Sequence, residues 1–60
     1  MTQQYNLTIR ANGTPVFNGR ESIHGAKCKA ATLTGTIRIE SGGALLAIRV
    51  PGFNGWKCYI

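Results

Sequence analysis

The chain has 60 residues, 43% of them hydrophobic and 15% charged, and its seven Lys and Arg against two acids give a net charge of +5 and a sequence pI near 9.9. That length allows one domain, 1–60, and excludes a large core: so short a chain buries only about 60% of the surface its unfolded form exposes, and leans on a disulfide, a metal, a partner or self-association. Low charge with regularly spaced Leu, Ile and Val excludes disorder, while the basic balance favours nucleic acid, an anionic membrane or an acidic protein surface as partner.

The N-terminal MTQQYNLTIR begins polar and lacks the apolar run of a signal peptide, which predicts a cytoplasmic protein. Within it Tyr5, Leu7 and Ile9 alternate with Asn6, Thr8 and Arg10, the pattern of a half-buried strand. Asn12-Gly13 follows, a dipeptide suited to positive φ at both positions and so to a type I′ hairpin turn. The chain returns through Thr14-Pro15-Val16-Phe17; Pro15 lacks a ladder donor, which predicts a short edge strand, ended by a turn at Asn18-Gly19.

Residues 20–31, RESIHGAKCKAA, fit either a short helix or an irregular loop. Ser22 would cap a helix whose Ile23, Ala26 and Ala30 share a face, and Gly25 would weaken it by about 1 kcal/mol. Next, Leu33, Gly35, Ile37 and Ile39 alternate with Thr34, Thr36, Arg38 and Glu40 as a strand. Ser41-Gly42-Gly43 is a turn, and Ala44, Leu46, Ile48 and Val50 read as the apolar face of the strand after it. Beyond Pro51-Gly52-Phe53-Asn54-Gly55, Trp56, Cys58 and Ile60 alternate with Lys57 and Tyr59 as a terminal strand. The expected fold is therefore mainly β: a small five-stranded antiparallel sheet or partly closed barrel, with room for one short helix near 22–30.

One phrase occurs twice, PVFNG at 15–19 and PGFNG at 51–55, each after a strand containing Leu-x-Ile-Arg. Either a strand-plus-turn unit is duplicated, or two similar loops engage one target, or Asn-Gly is simply favoured turn chemistry with Phe17 and Phe53 as lids on the core. The last already has a physical cause and is preferred.

Catalysis is poorly served. Paired-carboxylate chemistry has only Glu21 and Glu40 to draw on. Glu21, Ser22 and His24 crowd one segment, whereas a triad aligns members by tertiary geometry. A Cys–His pair needs an accessible, electropositive site for Cys28 or Cys58. Neither zinc-ligand spacing nor a phosphate-loop motif is present, so no metal and no cofactor is expected. Two free, half-buried thiols suit a reducing compartment; in an exported protein a Cys28–Cys58 bridge would add about 3–4 kcal/mol.

Strand faces separate the side chains further. With Leu7, Ile9, Leu33, Ile37, Ile39, Leu46, Ile48, Val50, Trp56 and Ile60 inward, the outward set includes Arg10, Arg38, Arg49, Lys57 and Tyr59, and Lys27 and Lys29 extend it. Cations and hydroxyls suit a phosphate backbone and an aromatic suits a base, so the expected function is a non-enzymatic basic module contacting nucleic acid or a nucleoprotein. The alternative is a small inhibitor or adaptor, of the accessory type that phages and plasmids encode, docking on a protein through Phe17, Phe53 and Trp56. Edge-strand pairing would equally make a homodimer. Membrane binding is not expected, because no basic amphipathic helix of sufficient length is present.

Overall fold

A computed structural model describes residues 3–59. Strand β1 (Gln4–Ala11) and strand β2 (Thr14–Ser22) form an antiparallel hairpin. Asn12 and Gly13 link them with φ of 52° and 85°, the doubly left-handed geometry of a type I′ turn that the Asn-Gly dipeptide predicts. Helix α1 (Ile23–Ala30) follows directly, then an irregular crossover over 31–36, strand β3 (Ile37–Ser41), strand β4 (Ala44–Arg49) and a two-residue strand β5 (Lys57–Cys58). The strands make one antiparallel sheet in the order β2-β1-β3-β4-β5. The sheet is open and does not close into a barrel.

Helix α1 resolves the ambiguity of residues 20–31. Ser22 is its N-cap, with Oγ accepting from the Gly25 N–H at 3.0 Å, and Glu21 Oε1 accepts the Ser22 N–H at 2.9 Å. Ala26 and Ala30 are fully buried against Leu7, Ile9, Ile37, Ile39, Leu46 and Ala47. Small residues on the helix let it sit close to the β1–β2 half of the sheet. No helix among the described residues is long and apolar enough to cross a membrane.

Three strand expectations change. Strand β2 runs for nine residues and passes straight through Asn18-Gly19, with no turn there; it is an edge strand, as Pro15 implied, but not a short one. Pro15 is tolerated because the register slips between Ile9 and Arg10, leaving Val16 as an extra residue beside the proline. Residues 33–36 are not strand, and Gly35 adopts φ +87° there.

The third change matters most for function. Ile39 pairs with Ala47 but Glu40 pairs with Leu45, so Leu46 is a bulge in β4. A bulge shifts every following side chain to the opposite face. Strict alternation from Ala44 would bury Ile48 and Val50 and expose Arg49. Instead Ala47 is buried and opposite Ile39, Arg49 is opposite Ile37 on the helix side, and Val50 is 39% exposed.

Candidate functional site

The face of the sheet away from α1 is built from alternate residues of every strand. On β1 and β2 it carries the pairs Asn6–Arg20 and Thr8–Asn18, the latter joined side chain to side chain at 3.5 Å. One row crosses four strands: Arg10 on β1 pairs with Arg38 on β3, Arg38 with Ile48 on β4, and Ile48 with Lys57 on β5. At about 4.8 Å per strand, the three cations of that row span roughly 14 Å. Arg10 and Arg38 stand directly opposite each other, an arrangement that costs stability unless an anion relieves it. Glu40, in the adjacent row, relieves it in part through an ion pair from its Oε1 to Arg10 Nε at 3.1 Å. The only other ion pair among the described residues is Lys29 Nζ to Glu21 Oε2 at 3.7 Å, so both acids are taken up and Arg20, Arg38 and Lys57 have no carboxylate partner there.

At the β4–β5 end this face opens into a pocket of about 310 Å³ lined by Ile48, Val50, Phe53, Lys57 and Tyr59. Its far wall comes from a turn at residues 50–53. The Phe53 N–H donates to Val50 O at 3.2 Å, with Pro51 and Gly52 at the centre and Gly52 at φ +85°. Pro then Gly at those positions is type II turn chemistry, and it brings Phe53 back toward the strand it has just left. Tyr59 is pinned through its N–H to Leu46 O at 2.9 Å, and Lys57 Nζ lies 5.9 Å from its ring centroid. Phe53 and Tyr59 each remain 54% exposed.

The residues expected on a basic face are thus divided. Arg10, Arg38, Lys57 and Tyr59 lie together on the helix-free side. Arg49 does not: its Nη2 donates to Leu33 O and its guanidinium lies 5.4 Å from the Trp56 ring, both on the helix side. The bulge at Leu46 is the cause. Lys27 and Lys29 are also on that side, Lys27 Nζ contacting Cys58 Sγ at 3.2 Å and Lys29 Nζ standing 5.0 Å over the Phe17 ring. They do not extend the row. Arg20 joins the helix-free face unforeseen; its signal was the alternation Asn18, Arg20 against Phe17, Gly19, Glu21, obscured by taking Asn18-Gly19 as a turn.

The aromatic set divides too. Phe17 and Trp56 pack against the core, whereas Phe53 lines the pocket. The two PxFNG copies consequently differ in structure, the first inside β2 and the second in the loop before β5. Of the residues weighed for catalysis, Cys28 Sγ lies 3.6 Å from His24 Nε2, one turn apart on exposed helix, and no third group of the described residues orients the imidazole. Both cysteines are free and exposed rather than half-buried. No group of three or more His, Cys, Asp or Glu among the described residues is placed to hold a metal. Neither a family model, nor a curated protein, nor a solved structure matches the chain.

Proposed function

We propose that the protein is a non-catalytic module that binds nucleic acid, alone or within a nucleoprotein, through the helix-free face of its sheet. The observation that carries this reading is the Arg10–Arg38 pair in a row that ends at Lys57. Two guanidinium groups placed opposite each other work against folding. A phosphate backbone converts that repulsion into attraction, and the hydroxyl of Thr8 and the Arg20 side chain lie on the same face to meet further phosphates. Exposed free thiols at Cys28 and Cys58 fit a reducing compartment such as the cytoplasm.

Fluorescence anisotropy with labelled single-stranded DNA, duplex DNA and RNA over a salt series tests the reading. Binding should weaken as salt rises, with a log–log slope of about −0.7 to −0.9 for each phosphate neutralised. Probes that stay free at low salt would end the nucleic-acid reading.

One observation favours docking on a protein, or on a second copy of this chain, instead. Strand β2 is a nine-residue sheet edge, and its outer hydrogen-bonding side meets no other strand among the described residues. Such an edge can accept a partner's strand. In that case a pull-down or a concentration-dependent sedimentation coefficient would replace the nucleic-acid signal.

A further inference from the structure

We infer that the pocket lined by Ile48, Val50, Phe53, Lys57 and Tyr59 receives an unpaired nucleobase whose phosphate sits on Lys57 and Arg38, making the protein a reader of single strands over duplex. This deepens the nucleic-acid reading and rests on it.

Ile48 holds the decisive position. It is the apolar residue between two cations of the cross-strand row, flanked by Arg38 on β3 and Lys57 on β5, and it is also part of the pocket wall. Pocket and cation row therefore share a boundary: Lys57 lines the pocket, and Arg38 stands next to its lining residue Ile48 across the sheet. A plain hydrophobe would use the pocket and waste the cations, and a bare polyanion would use the cations and leave the pocket empty. A nucleotide uses both.

Size and chemistry agree. A volume of about 310 Å³ lies at the lower end of ligand pockets, too small for an extended apolar chain segment and suited to a single planar ring system. Phe53 and Tyr59 present π-faces of the kind on which bases stack, and both are about half exposed, so they are reachable without rearrangement. Lys57 Nζ lies over the Tyr59 ring at 5.9 Å from its centroid, so a base stacking on that face would displace the ammonium toward the phosphate it brings with it. Ile48 and Val50 offer no hydrogen-bonding side chain, and the polar groups of the lining are only the Lys57 ammonium and the Tyr59 hydroxyl. Recognition carried mainly by stacking predicts tolerance of sequence, with duplex disfavoured because its bases are already stacked and paired.

The test compares labelled oligo-dT, oligo-U and a blunt duplex of equal length at low salt, using the full chain and its Phe53→Ala and Tyr59→Ala variants. Both positions are exposed, and circular dichroism of each variant checks that it folds; Tyr59→Phe, which keeps the ring, serves as the matched control. The expected result is tighter binding of single strands than of duplex. Each alanine variant should lose roughly five- to a hundred-fold in affinity for single strands, from the stacking contribution of one base, with duplex binding little changed and Tyr59→Phe close to the parent. Equal, salt-dependent binding of all probes, unaffected by the alanine variants, overturns the pocket inference and leaves the charged-face reading standing. Variants that weaken single strands and duplex alike overturn it too. No binding of any probe removes both.

Discussion

Asn12 and Thr36, 24 residues apart, are joined by two hydrogen bonds: the Asn12 N–H donates to Thr36 O at 2.8 Å, and the Thr36 N–H donates to Asn12 Oδ1 at 3.0 Å. The turn of the first hairpin is thereby tied to the end of the crossover, immediately before β3 enters the sheet. This clasp sets where β3 begins beside β1, and so which residue of β3 stands opposite Arg10.

Substitutions at this clasp should separate its parts. Asn12→Gly keeps the left-handed backbone and loses the side-chain bond, and should cost about 1 kcal/mol. Asn12→Ala loses the bond and strains the φ of 52°, adding roughly 1–2 kcal/mol. At Gly35, φ is +87° and an added Cβ would collide with Asn12 Oδ1, so Gly35→Ala should be worse than either. Urea denaturation orders the three; equal midpoints for Asn12→Gly and Asn12→Ala would show that backbone strain plays no part.

Arg49 and Arg38 look interchangeable as strand arginines and should behave oppositely. Arg49→Met leaves Leu33 O without its donor and should cost about 1–3 kcal/mol while leaving nucleic-acid affinity of the folded protein near the parent value. Arg38→Met is an exposed change that removes a like-charge neighbour of Arg10. Stability should therefore stay within about 0.5 kcal/mol of the parent or rise, while the salt slope of binding becomes shallower by about 0.7–0.9. Loss of affinity at Arg49 with no change at Arg38 would reverse the assignment of faces.

Cys28 and Cys58 are both exposed and unbridged. An aromatic disulfide reagent should therefore titrate two thiols per native chain without denaturant, and a reducing agent should leave the thermal midpoint unmoved. Absence of titratable thiol would mean a bridge, and with it a large drop in stability on reduction.

Much of this architecture is legible in the sequence because its signals are local. Alternation of Leu7 and Ile9 with polar neighbours, the Asn12-Gly13 turn and the Gly42-Gly43 link between β3 and β4 each act over a few residues, and each appears where expected. Ser22 marks the start of α1, though Gly25 and the short length left helix and loop evenly matched; burial of Ala26 and Ala30 against the sheet decided for helix. The pentapeptide repeat shows the limit of local likeness. Pro15 sits beside a bulge and Asn18-Gly19 is held extended by pairing with Thr8 and Leu7, whereas Pro51-Gly52 has no strand partner and forms a turn.

Composition and periodicity by themselves determined a basic, mainly β chain with alternating faces, because charge and a two-residue repeat are properties of the chain alone. Which side chains share a face was decided by tertiary pairing. A single extra residue at Leu46 turns Ile48 and Val50 outward and Arg49 inward, creating the pocket and removing one arginine from the basic row. A bulge leaves no mark in the alternation of one strand. It exists only relative to the partner strand, where Ile39 and Glu40 must pair with residues that are not consecutive.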